Sequence, residues 1–159
     1  MDYSNEQQSK STDSDSVVRQ LNSLLRGEIS AAETYRMAID KVSQSERKQD
    51  AGLLHQLQED HGRAAQAMRD RIQELGGEAS DASGAWGVWS KMVQGTADML
   101  GESAGLKALK EGEEHGLKDY EAALGDVDPA SRQLIQNQFI PAQQRHISLL
   151  DQLLAAPKV

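Results

Sequence analysis

Displaced by 85 positions without a gap, the second half of this chain falls on the first: Glu28 meets Glu113, Tyr35 meets Tyr120, Gln58 meets Gln143 and His61 meets His146. A scaffold coincides too, with Leu21 on Leu106, Leu24 on Leu109, Gly27 on Gly112, Ala38 on Ala123, Val42 on Val127 and Arg47 on Arg132. A self-similarity of this period predicts one supersecondary unit used twice, here two helical hairpins sharing an interior. Each hairpin brings one Glu, one Tyr, one Gln and one His to it, so function is expected where the halves meet.

Composition narrows the partners. A chain of 159 residues with 38% hydrophobic residues supports one core and one domain. Aromatics make up only 4%, and Leu, Ala, Gln, Glu and Arg are frequent, which favours helix over sheet. A formal charge of -8 argues against nucleic acid and anionic membranes, both of which reward a basic face. No segment approaches the roughly 20 apolar residues that span a bilayer, and no basic stretch followed by an apolar run opens the chain. A cytoplasmic protein is the expectation. With no cysteine, disulfides, thiolate metal sites and cysteine nucleophiles are excluded.

Periodicity divides the chain into a polar tail at 1–15, expected to be disordered, and a bundle at 16–155. The bundle comprises a hairpin at 16–76, a crossover at 77–102 and a second hairpin at 103–155. Helix 1 carries Val17, Leu21, Leu24, Tyr35, Ile39 and Val42 on one stripe, with Glu28 inside it. Ser43 to Glu46 reads as a capping box opening helix 2, whose stripe runs from Leu54 and Leu57 through Gln58 and His61 to Met68, Ile72 and Leu75. Gly76 and Gly77 end it. Helix 3 at roughly 103–125 turns Leu106, Leu109, Glu113, Leu117, Tyr120 and Leu124 inward. Asp128 and Pro129 mark the start of helix 4, which carries Ile135, Phe139, Gln143, His146 and Leu153. Pro141 lies inside that helix and predicts a kink just before Gln143. On the crossover, Trp86, Trp89, Val93, Thr96 and Leu100 recur at helical spacing, predicting a short amphipathic helix that covers its own bundle or joins copies in a homo-oligomer. A crossover of this length makes helices 2 and 3 parallel.

Residues seven apart on a helix return to nearly the same angle, so Glu28 and Tyr35 share a face, as do Glu113 and Tyr120. Residues three apart are neighbours, so Gln58 flanks His61 and Gln143 flanks His146. A carboxylate in an apolar stripe is costly unless paired, hydrogen-bonded or metal-bound. Glu28, Glu113, His61 and His146 from four helices can surround one divalent cation such as Fe, Mn or Zn. The competing expectation is a metal-free hydrogen-bonded network of the same residues. Gly27 and Gly112, unfavourable in helices, point to close backbone packing beside each Glu.

The spacing of Glu28 to Tyr35 and of Glu113 to Tyr120 resembles the Glu-x6-Tyr signature of bacterioferritin-type and rubrerythrin-type di-iron proteins in the ferritin-like superfamily. Gly112-Glu113 through Leu117-Lys118-Asp119-Tyr120-Glu121-Ala122-Ala123-Leu124 looks more like the third helix of a bacterial family of uncharacterised four-helix proteins in that superfamily, a domain of unknown function. The resemblance covers about residues 16–155. It implies an all-α, ferritin-like four-helix bundle and a stress or metal-homeostasis role. The relatives' second and fourth helices carry Glu-x-x-His, whereas this chain has Gln58-Glu59-Asp60-His61 and Gln143-Gln144-Arg145-His146. The resemblance assigns a metal-bridging place to Gln58 and Gln143, yet neutral amides bridge metals poorly. Two carboxylates balance one divalent ion, so a di-iron centre is disfavoured. The glutamines then orient His or Glu beside the ion, and Tyr35 and Tyr120 serve as hydrogen-bonding core phenols.

Other polar residues read as solvated: Glu114 within the alternating charges of helix 3, Glu59 with Arg63, and Glu33, His55 and His115 off the inward stripes. No phosphate loop, nucleophile elbow or basic aromatic groove is present. Catalytic turnover has no motif of its own here; bound iron with an open position would bring oxygen or peroxide chemistry, of oxidoreductase type.

Overall fold

The computed structural model describes residues 3–84, 87, 95 and 101–156, with side chains from Asp13 onward. Helix α1 spans Tyr3–Val42, α2 Ala51–Glu74, α3 Glu102–Ala123, α4 Pro129–Leu134 and α5 Ile140–Ala155. A π turn at Ile135–Phe139 joins α4 to α5, so these form the fourth helix of the bundle. The Trp86 to Leu100 helix expected on the crossover falls outside the described residues.

Two local expectations are corrected. Residues from Tyr3 onward continue α1 as helix where a disordered tail was expected. That stretch holds neither proline nor glycine, so nothing in it stops the backbone ladder. Ser43 does not cap α2. Instead Ser45 organises the turn, its hydroxyl donating to Val42 O at 2.8 Å and accepting from Arg47 N at 3.0 Å. A single 3-10 turn at Lys48–Asp50 then leads into α2. Arg47 holds the corner, donating to Asp50 at 2.7 Å and to Leu153 O at 2.6 Å. The distortion associated with Pro141 takes the form of the π turn ahead of α5: proline lacks an N–H and crowds the carbonyl four residues back.

Other signals are read correctly. Gly76, at φ 77°, ends α2, with Gly76 N donating to Gln73 O and Gly77 N to Ile72 O, both at 2.9 Å. Asp128 caps α4, its carboxylate accepting from Ala130 N at 3.2 Å and Ser131 N at 3.4 Å, with Pro129 at the first helical position.

The hairpins pack as α1 on α2 and α3 on α5, and α1 touches α3 less extensively. Because Tyr35 reaches Glu113 while Tyr120 reaches Glu28, α1 and α3 run antiparallel. Helix α2 is antiparallel to α1, so α2 and α3 run the same way, as the long crossover requires. Its first stretch climbs α1. Asn22 donates to Glu78 O at 2.8 Å and accepts from Ser80 N at 2.7 Å, Arg26 donates to Ser80 Oγ at 3.1 Å, and Ser83 donates to Glu33 at 3.1 Å. Side chains thus satisfy backbone that no sheet or helix would.

Apolar packing forms two clusters. One gathers Leu21, Leu25, Met68, Ile72, Ile135 and Phe139 with their neighbours; the other gathers Ile39, Leu54, Leu57, Leu106, Leu109 and Leu150 with theirs. Each fully buried Leu or Ile contributes about 1.5–3 kcal/mol. Between the clusters on every helix lies a polar residue, and those residues form the site.

Candidate metal centre

Glu28 on α1, His61 on α2, Glu113 on α3, and Gln143 and His146 on α5 are buried at mid-depth, with 5, 2, 3, 4 and 1% of their surface exposed. Tyr35 and Tyr120 are equally buried and close the layer above and below. The structure therefore brings together seven of the eight residues singled out by the repeat. Gln58 is the exception: it is half-buried, and its amide donates away from the layer to Ala32 O at 3.4 Å.

Two crossed bonds tie the hairpins. Tyr35 OH donates to Glu113 Oε1 at 2.5 Å, and Tyr120 OH donates to Glu28 Oε1. Burial first, and then the facing carboxylate, Glu113 for Tyr35 and Glu28 for Tyr120, raises each phenol's pKa well above its ordinary value. Both remain donors.

His61 stands between the carboxylates, its Nδ1 2.6 Å from Glu28 Oε2 and its Nε2 2.9 Å from Glu113 Oε1. Burial alone would depress this imidazole; the charges of Glu113 and Glu28 overcome burial and hold its pKa well above the usual range. It is an imidazolium donating both ways. Glu113 shows the converse: burial pushes its pKa up, but the charge of His61 and the approach of the His146 and His61 rings to its oxygens hold it far below the carboxylate range. The same carboxylate accepts from Gln143 Nε2, which also donates to Glu113 O at 3.1 Å.

The second imidazole has an unanticipated partner. His146 Nδ1 lies 3.4 Å from Glu113 Oε2, while Nε2 lies 3.0 Å from Asp60 Oδ2. Asp60 also accepts from Arg63 and, at 3.3 Å, from Arg145. Burial would raise its pKa, but these three partners, His146 foremost, lower it. The rings of His61 and His146 meet edge to face at 4.9 Å, and Tyr35 stacks on His61 at 5.3 Å.

Donor atoms of His61, Glu113 and His146 lie within 4.8 Å of one another. Zinc-like ions sit about 2.0–2.2 Å from such atoms, which in tetrahedral geometry places two donors roughly 3.4 Å apart. Side-chain movements of about 1 Å would bring the widest pair of the triad to that spacing. Two imidazoles and a carboxylate suit Zn, Fe or Mn. Glu28 stands outside the triad, at the opposite nitrogen of His61.

A cavity of about 490 Å³ opens along the seam between α1 and α3 and reaches Glu28, Glu113, His61 and Gln143. Its walls include Leu24, Leu109, Ala31 and three glycines, Gly27, Gly112 and Gly116. The close backbone packing expected at Gly27 is not found, since a Cβ there would meet nothing within 4 Å. Gly116 is different: a Cβ would lie 2.8 Å from Gln143 Nε2. Its counterpart in the first half is Ala31, because 116 less 85 is 31. Gln143 crosses its neighbouring helix where a methyl group is missing, whereas Gln58 turns to Ala32 O.

His55, His115 and Glu59 are exposed, as their places off the stripes predict, and Glu114 pairs with Lys110 at 3.5 Å. Among the described residues, no helix is long and apolar enough to cross a membrane.

The fold has a solved counterpart. A structure from Bacillus anthracis str. Ames, described as ferritin like, diiron-carboxylate proteins, superposes with a TM-score of 0.72 at 20% identity, covering 89% of this chain and 97% of that one. This fixes the architecture as a ferritin-like, all-α bundle. No curated protein matches the sequence. The sequence pattern of one family fits residues 16–126, which span α1, α2, α3 and the buried Glu28, His61 and Glu113. On that match the chain belongs to the family described as domain of unknown function DUF2383.

Proposed function

We propose that this protein binds one divalent transition-metal ion, Fe, Mn or Zn, in the polar layer of its bundle and serves in metal homeostasis or a stress response. The observation carrying this reading is the triad of buried donors, His61, Glu113 and His146, within 4.8 Å of one another and drawn from three helices. Glu28 holds His61 from behind and supplies the second negative charge. The structural counterpart's description names two irons. Here the residues at the bridging places are glutamines, and Gln58 is turned toward Ala32, which favours one ion over two. Iron at this site would supply oxidoreductase-type chemistry. The protein's own groups exclude bulk water, orient the imidazoles and keep Tyr35 and Tyr120 protonated.

The test is elemental analysis followed by anaerobic titration with Fe(II), Mn(II) and Zn(II). One ion per chain, lost in Glu28→Ala and His146→Ala, is expected. Two ions would overturn the charge argument, and no binding would overturn the reading.

One observation favours a second reading, a metal-free bundle whose polar layer fixes helix register while its surface binds a partner. Among the described residues, no buried side-chain nitrogen or oxygen lacks a hydrogen-bond partner. Protein that is metal-free as purified, with no change in binding in either variant, supports that reading. Under either one we place the protein in the cytoplasm, away from nucleic acid on account of its charge of -8, with the crossover as the contact between copies in a homo-oligomer.

A further inference from the structure

We infer that Asp60 is a positioning residue that decides which nitrogen His146 presents to the centre; this rests on the one-ion reading above. The repeat shows what Asp60 changes. In each hairpin the histidine Nδ1 faces the glutamate of the same hairpin, His61 toward Glu28 at 2.6 Å and His146 toward Glu113 at 3.4 Å. The Nε2 atoms diverge. His61 Nε2 reaches across the seam to Glu113 at 2.9 Å, whereas His146 Nε2 goes to Asp60 at 3.0 Å and not to Glu28.

The residue preceding each histidine accounts for the divergence: it is Asp60 in the first hairpin and Arg145 in the second, since 60 plus 85 is 145. Asp60 can accept the Nε2 proton of His146 across the α2–α5 contact. Arg145 has no acceptor to offer His61 and instead donates to Asp60 at 3.3 Å. Arg63 approaches the other oxygen, so the carboxylate is fixed on both sides, and only 11% of its side chain is exposed.

A neutral imidazole carries one proton and one lone pair. With Nε2–H committed to Asp60, the lone pair of His146 falls on Nδ1, beside Glu113, where a ligand atom is needed. Without Asp60, the remaining anion near the ring is Glu113, and the proton moves to Nδ1, blocking that atom. Asp60 contributes through His146 and does not touch the ion itself.

The test uses full-length protein with 15N-labelled histidine, metal-free and at one fixed neutral pH. Two-bond 1H–15N correlations identify the protonated nitrogen of His146. The native protein is expected to carry the proton on Nε2 and Asp60→Ala on Nδ1, with Zn(II) affinity lower by roughly 10- to 100-fold. Asp60→Asn, which keeps a carbonyl acceptor of the same shape, is expected to retain the Nε2 proton and most of the affinity. It also tests the inference if Asp60→Ala fails to fold. An Nε2 proton that persists in Asp60→Ala, or is already absent in native protein, overturns the inference. If Asp60→Ala does not fold, an Nε2 proton lost in Asp60→Asn does the same. Failure of native protein to bind Zn(II) overturns the metal reading alone, since the proton assignment is made without metal.

Discussion

Two glycines one repeat apart in role but not in register, Gly27 and Gly116, should respond to alanine in opposite directions. Gly27 lies in the middle of α1 with open space where its Cβ would be, so Gly27→Ala should gain the helix propensity that glycine forfeits, up to about 1 kcal/mol. Gly116→Ala receives the same gain but places a methyl 2.8 Å from Gln143 Nε2, the atom that donates to Glu113 O and Oε2. A flexible side chain can retreat, but this one must release both bonds to do so. Losing about 1 kcal/mol for the carbonyl bond and about 1.5–3 kcal/mol for the bond to a carboxylate, less the propensity gain, leaves a net cost of about 2 kcal/mol. For a chain of this size that is a fall of about 4–8 °C in Tm, against a rise of about 2–4 °C for Gly27→Ala. Urea and thermal unfolding of both variants measure the difference. A background of Gln143→Ala isolates its cause, because there Gly116→Ala should become stabilising. A Gly116→Ala variant as stable as native, or one equally destabilised in that background, refutes the argument.

Three further outcomes follow from the polar layer. Glu113→Ala removes the acceptor of Tyr35, His61 and Gln143 together and should cost about 3–5 kcal/mol in urea unfolding, so a loss below about 1 kcal/mol would contradict it. The raised pKa of His61 contributes stability that is full below the unfolded imidazole value of about 6.5 and is lost as pH rises through the folded value. The depressed pKa of Glu113 contributes above the unfolded carboxylate value of about 4.3 and is lost as pH falls through the folded value. Thermal melts across pH should therefore show a maximum between those limits, and stability still climbing from neutral to alkaline pH would be inconsistent with this. Because the His61 Nε2 proton sits where the triad would hold an ion, Zn(II) binding near neutral pH should release about one proton or more per ion, measured calorimetrically in buffers of different ionisation enthalpy. Binding without release would exclude His61 Nε2 as a ligand.

What the sequence disclosed and what it withheld have separate physical causes. Glu28, Tyr35, Glu113 and Tyr120 were legible because a helix returns to the same face every seven residues and the repeat printed that face twice. Asp60 was not. Adjacent residues on a helix point about 100° apart, so beside an inward His61 it carried no signal from the stripe, and only the packing of α5 against α2 supplies its partners. The opposite charges at positions 60 and 145 were the available signal. The equivalence of Gln58 and Gln143 failed for a similar reason: their side chains are identical, and only the packing shows Gln143 lying against Gly116 while Gln58 turns to Ala32 O. Helix starts were read less well than stripes. Ser43 and Ser45 are both able to cap, and the backbone course after Val42, fixed by Arg47 reaching Leu153, chose between them.

These small departures from the repeat act in one direction. A strict duplicate would offer two equivalent half-sites, each glutamate with the same company, and an ion or a pair of ions would lie on the pseudo-dyad. Here a missing methyl at Gly116 admits Gln143 to Glu113, while Gln58 donates to Ala32 O and not to Glu28. Asp60 turns His146 away from Glu28, while His61, facing no such acceptor, extends to Glu113. Glu113 consequently accepts from Tyr35, His61 and Gln143, and Glu28 from Tyr120 and His61. Against the opposing effect of burial, the charge of His61 beside it holds Glu113 far below its ordinary carboxylate pKa. The duplicated scaffold carries a one-sided pocket centred on Glu113, and that asymmetry joins the two glutamines in supporting the one-ion reading proposed above.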